Sequence, residues 1–506
     1  MIYHSNVRER IGQLASKRIL VLDGAMGSMI QAYRTPLGEP LSEADFRGES
    51  FKDHPLPLKG CNDILCLTMP RLISGIYESY LKAGADIIET CSFSASAVSL
   101  ADHGLADYSY KISFAAANLA RKAADSFSTL DKPRFVAGSI GPTAKNLSFP
   151  QNMSDPGKRD IGWDELEAAY YENGRGLADG GADLIIIETV FDTLNAKAAI
   201  FAIRRLAKER GIDLPVMVSA TVSNNQGRLL SGQTVEAFCV SVLHADPLAV
   251  GLNCSFGAEK LKPHIAAIAA AAPCLVSSHP NAGLPNQLGV YEETPESMAA
   301  HIEEYMREGL VNIVGGCCGS TPAHIAAIAA KAEKYAPRPI PAPSKKIFLS
   351  GLEPHEVRRE QILSFLEEHS KAAKTNKLPK LIGEKNYDEA VETVRERIEN
   401  GAAFIDVSTD DALPDAKTAI SEFLNYALLF SDIARLPVII SSSRRDVIEA
   451  GLKCIQGKAL VNSINLKEGE AEFVRLSGLA RSYGAAMAAT LFDRGLPFPE
   501  QAKSRP

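Results

Sequence analysis

The sequence predicts an α/β protein in which a (β/α)8 TIM barrel is followed by a partial, half-barrel α/β domain. Short apolar runs recur along the first two thirds of the chain, and an amphipathic, alanine-rich stretch follows each run. The runs lack polar alternation, which is typical of parallel strands buried on both faces. Eight such units over roughly 320 residues match this barrel. The runs cover residues 18–24, 85–90, 134–139, 182–189, 215–220, 248–253, 274–279 and 312–316.

A proline-rich segment separates this barrel from the rest of the chain. Residues 336–344 alternate proline with other residues, which favours an extended, semi-rigid connector. We therefore predict a barrel over residues 1–335, a linker over 336–350 and a second α/β domain over 351–506. The second domain has strand candidates at residues 402–407, 437–441, 459–464 and 485–491.

Four strands do not close a barrel, so the predicted second sheet has an open edge and an apolar face. These surfaces need cover from the first domain, from a second copy of the chain in a homodimer, or from another chain.

The composition argues against several classes of protein. A net charge of −7 and a pI near 5.9 disfavour a nucleic-acid or anionic-membrane partner. We find no apolar run of about 18 residues and no apolar signal-peptide core at the start, which predicts no membrane partner and a cytoplasmic location. The nine cysteines, an odd number, fit reduced thiols and a metal site better than a disulfide framework.

Three cysteines lie where predicted strands end. Cys317 and Cys318 sit in a glycine-framed loop directly after the eighth run, and Cys254 ends the sixth. Adjacent thiols in a tight loop cannot easily bond to each other, but both can reach one metal ion. Because barrel active sites collect at the carboxyl ends of the strands, all three thiols are expected to meet at one rim. Three thiolates leave one position of a tetrahedral zinc ion open, as in catalytic zinc sites.

The competing interpretation is that these cysteines are small buried hydrophobic residues. The glycine frame and the strand-end position of both stretches favour the metal site. Polar residues that close the other runs are expected to point into the same mouth, and together with the cysteines they are hard to explain as packing. They are Asp23, Glu89, Thr90, Ser139, Glu188, Thr189, His279 and Asn281.

With these residues in place, the chain resembles the cobalamin-dependent methionine synthases, specifically their N-terminal homocysteine-binding half with a truncated, degenerate folate-binding domain. The motifs that carry the resemblance include LDGAMG (22–27), EADFRGE (43–49), GLNC (251–254), PNAGLP (280–285) and GGCCG (315–319). Homocysteine methyltransferases in general share the cysteine motifs, whereas EADFRGE points to methionine synthases in particular.

The resemblance implies that Cys254, Cys317 and Cys318 bind a catalytic zinc ion whose remaining position takes the homocysteine thiol. A metal-bound thiol is deprotonated, and the thiolate is the form that attacks a methyl carbon. Asn281 resembles the residue that can occupy the same position before substrate arrives. The resemblance also implies that the amino-acid end of homocysteine is held by Asp23, Gly24, Ala25, Glu89, Thr90, Ser139 and Glu188.

The remaining cysteines are not expected to bind the metal. Cys91 stands where the family often has Asn, and we interpret it as a tolerated small residue near the rim and not as a fourth ligand. We assign the others to packing: Cys61, Cys66, Cys239, Cys274 and Cys454.

The second region departs further from the family. Residues 358–363 predict a helix where a GERTN pterin-binding strand is expected, and the last four strands of the folate barrel are missing from the sequence. Ser408 and Ser441 replace an expected Asn and an expected acid. Only Asp406 and Asn462 keep the pattern as residual pterin-site matches, so we expect no folate binding here.

The predicted function is a zinc-dependent homocysteine S-methyltransferase that forms methionine. The sequence contains no D-x-H-x-x-G cobalamin motif, so methylcobalamin is expected to be supplied in trans by a separate corrinoid protein. One alternative keeps the zinc chemistry but uses a small donor such as S-methylmethionine or betaine. Another is a non-catalytic assembly subunit of a split methionine synthase, against which the intact zinc ligands weigh.

Overall fold

The computed structural model describes residues 6–497 except 151, 153–154, 156, 343, 359, 362–376, 410–414, 467–468, 491 and 494–495. Among the described residues, the first sheet contains eight strands. They are β1 Leu20–Val21, β2 Ile87–Glu89, β3 Phe135–Ile140, β4 Leu184–Val190, β5 Val216–Ala220, β6 Ala249–Gly257, β7 Leu275–Asn281 and β8 Ile313–Val314.

These strands pair in parallel in the order β1-β8-β7-β6-β5-β4-β3-β2. A parallel bridge between Leu22 and Ile87 joins the two ends of the sheet. Each predicted apolar run coincides with one strand. The predicted (β/α)8 barrel is therefore confirmed, and the carboxyl ends of the strands meet at one mouth.

Helices surround this sheet, and none of the described helices is both long and apolar enough to cross a membrane. They are α1 Val7–Ala15, α2 Met26–Ala32, α3 Glu43–Arg47, α4 Leu65–Thr68, α5 Pro70–Lys82, α6 Ala97–Leu100, α7 Ser109–Phe127, α8 Trp163–Gly180, α9 Thr193–Arg210, α10 Val235–Val242, α11 Ala258–Ala271, α12 Pro295–Arg307 and α13 Pro322–Ala332.

The interior of the barrel has an apolar floor and a polar mouth. Helix α1 packs against inward-facing strand residues, including Ile87 and Ile186, in one buried cluster. Successive strand residues point to opposite faces, so the next inward positions on β2 and β4 are Glu89 and Glu188. The floor thus confines polar chemistry to the carboxyl-terminal end of the barrel.

The beginning of the predicted linker packs against the barrel. The buried guanidinium of Arg338 donates hydrogen bonds to the carbonyls of Ala269, Ala272 and Cys274. The later part of the same segment contains β9 Phe348–Ser350, which pairs antiparallel with β10 Pro354–Glu356. The domain bounds given above remain predictions.

The second sheet is parallel and open, with the order β11-β12-β13-β14. Its strands are β11 Ile405–Val407, β12 Val438–Ser441, β13 Leu460–Asn465 and β14 Ala486–Thr490, and β15 Phe492–Asp493 pairs with β16 Leu496–Pro497. Its helices are α14 Lys377–Gly383, α15 Tyr387–Glu399, α16 Ala416–Ala427, α17 Ser431–Ala434, α18 Arg445–Leu452 and α19 Glu470–Ser482. The predicted partial α/β domain is confirmed. Of the helix predicted over 358–363, residues 359, 362 and 363 lie outside the described residues, and residues 360 and 361 are helical.

Part of the cover for this open sheet comes from the first domain and the hairpin. Leu349 of the hairpin packs with Phe404 and Ile439 on one face of the sheet. The ring of Tyr483, which follows α19, packs at a tilt against that of Phe201 on α9, with 4.9 Å between the ring centroids. The Nζ of Lys197, also on α9, donates to the carbonyls of residues 455 and 457. The two domains are therefore packed together, with buried polar contacts between them.

Candidate active site

The structure brings the three predicted cysteines together at the mouth of the barrel. The Sγ atoms of Cys254, Cys317 and Cys318 all lie within 4.8 Å of one another. The Cys254 and Cys318 sulfurs are 3.8 Å apart. Tetrahedral zinc with Zn–S bonds of about 2.3 Å places two thiolate sulfurs about 3.8 Å apart. The donor set and its spacing therefore fit a zinc ion with one position left for another ligand.

Cys254 reaches this cluster through an irregular strand end. The pairing of β6 with β7 shifts register between Asn253 and Gly257. Cys254 and Ser255 both have φ of 61°, in the left-handed region that non-glycine residues seldom occupy. Such backbone strain is typical of functional sites, and bulges there redirect side chains. A regular strand would have directed the Cys254 side chain away from the other two cysteines.

The side chain of Asn253 holds this irregular region in place. Its Oδ1 accepts hydrogen bonds from the Thr189 amide at 2.9 Å and the Ser219 hydroxyl at 2.7 Å. Its Nδ2 donates to the Thr189 hydroxyl and contacts Cys317 Sγ at 3.8 Å. One buried amide thus ties β4, β5 and β6 to a sulfur of the cluster. Sequence reasoning assigned no role to Asn253, although it adjoins Cys254 in the GLNC motif.

The loop that carries Cys317 and Cys318 is fixed by backbone contacts. The Cys317 amide donates to the carbonyl of Pro280 at 2.7 Å. The hydroxyl of Ser320 donates to the carbonyl of Cys317 and accepts from the amide of Ala25. Gly319 has φ of 80°, and a Cβ there would overlap the ring of Tyr291. The glycine frame seen in the sequence is therefore a steric requirement of this loop.

The phenol of Tyr291 lies beside Cys318 and interacts with its thiol. Hydrogen bonds with Cys254 and Cys317, and then with Tyr291, hold the pKa of Cys318 well below its usual range. Hydrogen bonds with the other two cysteines, together with burial, raise the pKa of Cys317. Tyr291 lies in a loop with no periodic pattern, so no sequence signal identified it.

Three carboxyl groups lie beside the thiols. Glu188 Oε1 accepts from the Ser139 hydroxyl at 2.5 Å, and Asp23 Oδ2 accepts from the Glu89 amide at 3.0 Å. Burial raises the pKa of all three carboxyl groups, and that of Glu188 rises to about 7. Carboxylates desolvated in this way are stabilised by a cation among them. The arrangement suits the ammonium group of an amino acid.

A cavity of about 510 Å³ opens over the thiols and the carboxyl groups. Most of the predicted substrate residues line it, together with all three cysteines and Thr189: Gly24, Ala25, Glu89, Thr90, Ser139 and Glu188. Asp23 and Asn281 are buried and do not line the cavity. The Oδ1 atoms of both lack a hydrogen-bond partner among the described residues.

The comparisons with known proteins agree with this geometry. A family model described as homocysteine S-methyltransferase matches residues 20–332, more than half of the chain. The chain belongs to the homocysteine S-methyltransferase family. A second family model, described as pterin binding enzyme, matches residues 376–504 of this methyltransferase.

Solved structures similar to this methyltransferase include the Escherichia coli homocysteine methyltransferase MmuM. Its oxidized form is 22% identical over 64% of this chain and 100% of that chain, with a TM-score of 0.48. Its metallated form is 23% identical over 63% of this chain and 98% of that chain, with a TM-score of 0.46. A putative phosphonomutase from Burkholderia cenocepacia is 15% identical over 62% and 92%, with a TM-score of 0.32.

The other cysteines of the methyltransferase lie outside the thiol cluster. Cys91 lines the cavity, and its amide donates to the phenol oxygen of Tyr77 at 2.7 Å. Cys61 also lines the cavity wall. Cys66 and Cys239 are buried, and Cys274 and Cys454 are half-buried.

The residual pterin-site residues meet at the carboxyl ends of the strands in the second sheet. The Ser441 hydroxyl donates to Asp406 Oδ1 at 2.6 Å, and Asn462 Nδ2 donates to the Ser441 hydroxyl at 3.1 Å. Ser441, which replaces an acid of the family pattern, therefore links the two residues that keep it. The three side chains bond to one another across β11, β12 and β13.

Proposed function

We propose that this methyltransferase methylates the thiol of homocysteine to form methionine, using a zinc ion held by Cys254, Cys317 and Cys318. The observation that carries the proposal is the convergence of three sulfurs within 4.8 Å of one another, in the cavity that Glu89 and Glu188 also line. The three sulfurs suit a metal ion that binds a thiol, and the two carboxyl groups suit an α-ammonium group. Homocysteine carries both groups on one short chain.

When bound, the zinc ion supplies Lewis acidity that lowers the pKa of a thiol at its open position, so that the thiolate prevails at neutral pH. The residues of the chain hold and orient the acceptor. Glu89 and Glu188 bind the ammonium group, Ser139 fixes the Glu188 carboxylate, and the apolar floor beneath keeps water from the lower barrel. Asn253 and Tyr291 hold the sulfurs of Cys317 and Cys318 in place.

The proposed methyl donor is methylcobalamin on a corrinoid protein, as in the cobalamin-dependent methionine synthases. The order of the two family matches, homocysteine S-methyltransferase and then pterin binding enzyme, supports this donor. The EADFRGE segment supports it too. In this segment Glu43 accepts hydrogen bonds from the amides of Leu58 and Lys59. These two residues directly precede Gly60, which lines the cavity.

In the proposed transfer, the homocysteine sulfur forms a bond to the methyl carbon while the bond from that carbon to its carrier breaks. The carrier keeps the electron pair of the broken bond. The thiol proton is lost to solvent before transfer, so no general base is required on the chain.

The experiment measures zinc content and homocysteine binding in the purified chain and in two matched cysteine variants. Cys317→Ala is expected to lose the single zinc ion per chain and, in calorimetry, homocysteine binding. Cys274→Ala, which removes a half-buried thiol outside the cluster, is expected to keep both. Absence of zinc from the unmodified chain would contradict the proposal and favour the assembly subunit. Homocysteine binding that survives in Cys317→Ala would contradict the proposed role of zinc in binding the acceptor.

The donor is tested separately on zinc-loaded chain with homocysteine. Methionine formation is compared with methylcobalamin, S-methylmethionine and betaine as methyl sources. Faster turnover with methylcobalamin is expected. Turnover only with a sulfonium or betaine donor would keep the zinc chemistry and reject the corrinoid partner.

A further inference from the structure

Three inward-facing side chains form a polar cluster next to the thiols. His279 contributes a ring nitrogen, and Glu89 and Glu188 each contribute a carboxylate oxygen, all within 4.8 Å of one another. His279 is 1% exposed, and its Nε2 has no hydrogen-bond partner among the described residues. The Oε1 atom of Glu89 is also buried and without a partner there. Buried polar atoms are nearly always paired in native proteins, so two unpaired atoms in one cluster require an explanation.

The strand geometry accounts for the position of His279. Leu275 and His279 are four residues apart on β7, so they share the inward face of the barrel. Leu275 belongs to the apolar floor, and His279 lies beyond it towards the mouth. Its register partner on β6 is Asn253, whose amide is already used by Thr189, Ser219 and Cys317. The polar groups that remain near the imidazole are therefore the carboxyl groups of Glu89 and Glu188 across the barrel.

The two carboxyl groups across the barrel differ in their hydrogen bonding. Glu188 already accepts a hydrogen bond from Ser139. The Oε1 atom of Glu89 accepts none among the described residues. A neutral imidazole with its proton on Nε2 is a donor, and a carboxylate oxygen is an acceptor. The complementary pair is thus His279 and Glu89.

We propose that His279 is a positioning residue for the amino-acid acceptor. With homocysteine bound, its Nε2–H donates to Glu89 and fixes this carboxylate against the α-ammonium group beside Glu188. The inference rests on the proposed function, because it assumes that these two carboxylates contact homocysteine. It adds a specificity determinant: the site selects thiols that carry a free α-amino group, and His279 sets how strongly it does so.

The test compares L-homocysteine with 4-mercaptobutanoate, which lacks the amino group but keeps the thiol and the carboxylate. In His279→Leu, the KM for homocysteine is expected to rise about tenfold or more, as for the loss of a hydrogen bond to a charged group. The kcat, the zinc content and the affinity for 4-mercaptobutanoate are expected to change by less than about twofold, since none of them depends on the ammonium contact. His279→Gln keeps an N–H donor and is expected to restore much of the affinity.

Two further variants separate positioning from a general structural role. Ser278→Ala changes the neighbouring residue, which points to the outer face of the strand. It is expected to leave KM, kcat, zinc content and the affinity for 4-mercaptobutanoate unchanged. Glu89→Gln combined with His279→Leu is expected to be no worse for homocysteine than Glu89→Gln alone, because His279 acts through Glu89. If His279→Leu does not fold, His279→Ala and the Gln variant carry the same comparison.

Equal losses for homocysteine and 4-mercaptobutanoate would overturn the inference, as would additive effects of the two substitutions. A second zinc ion per chain that His279→Leu removes would overturn it as well, because the cluster would then hold a metal. Unmodified chain that binds neither zinc nor homocysteine would instead reject the proposed function. Normal homocysteine kinetics in His279→Leu would reject only the role of His279.

Discussion

Both sheets of this methyltransferase end in polar side chains at the carboxyl ends of parallel strands, but the two sets differ in how their atoms are paired. At the barrel mouth, buried atoms of Asp23, Glu89, His279 and Asn281 lack partners among the described residues. In the second sheet, Ser441 bonds both Asp406 and Asn462. Unpaired buried polar atoms are costly unless a ligand completes them.

The comparison distinguishes a site prepared for a ligand from one whose side chains already pair with each other. A pterin that bonded to Asp406, Ser441 and Asn462 would have to replace the bonds that these side chains already form with one another. That the second domain does not bind folate stays a prediction, which these internal bonds favour. The contrast predicts different outcomes for matched substitutions in the two regions.

The largest effect is expected from removing one sulfur of the barrel cluster. Cys318→Ser should lower methyl transfer by about 10³-fold or more, because loss of a thiolate ligand removes the site that activates the acceptor thiol. Ser441→Ala, which breaks the closed set of the second domain, should leave transfer unchanged. Steady-state rates of both variants test the contrast. A comparable loss in Ser441→Ala would show that the second set takes part in the reaction.

The contact between the two regions should have a marked pH dependence. Burial lowers the pKa of Lys197 to about 7, whereas an unfolded lysine titrates near pH 10.4. Between these values the unfolded chain binds more protons, so the free energy of unfolding contributed by Lys197 rises with pH from about 7 to about 10. The gain is at most about 5 kcal/mol.

Urea unfolding of the unmodified chain and of Lys197→Met from pH 6 to pH 10 measures this contribution. The difference between the two should change above pH 7 and stay constant below it. Lys208→Met, an exposed change on the same helix, is the control. A difference that does not vary with pH would show that Lys197 is not desolvated in the folded chain.

A smaller effect is expected from the amide that supports the thiol cluster. Asn253→Ala removes the hydrogen bonds to Thr189 and Ser219 and the contact with Cys317, and should weaken zinc binding about 10- to 100-fold. Competition with a metal chelator measures the change. Asn462→Ala in the second domain is the matched amide and should leave zinc affinity unchanged.

The smallest effect is expected at the phenol that contacts Cys318. Tyr291→Phe keeps the ring against Gly319 and removes only the hydroxyl. Zinc affinity should fall by less than about tenfold, as for the loss of one hydrogen bond. The same chelator competition measures it, with Tyr335→Phe as control. A loss of zinc affinity as large as that of Cys318→Ser in the same competition would make Tyr291 a ligand and not a supporting residue.

Much of the fold was predictable because it depends on local patterns. Each apolar run became a strand, and the strand ends placed Cys254 beside Cys317 and Cys318. The supporting residues were not predictable, because they act through distant contacts. Tyr291 lies in an irregular loop, and the turn that aims Cys254 is a strained strand end without glycine. The packing of Arg338 under the barrel likewise has no local signal in a proline-rich segment.

The filled floor of the barrel has a consequence for the order of events. Helix α1 packs against the amino-terminal end of the barrel, so among the described residues the cavity opens at the carboxyl-terminal end, where the proposed acceptor, donor and product would all pass. A corrinoid protein, if it is the carrier as proposed, would cover this entrance while it is docked. Homocysteine would then enter before the carrier docks, and methionine would leave only after the carrier dissociates. Turnover should follow an ordered sequence, and excess carrier should slow the reaction by trapping product inside.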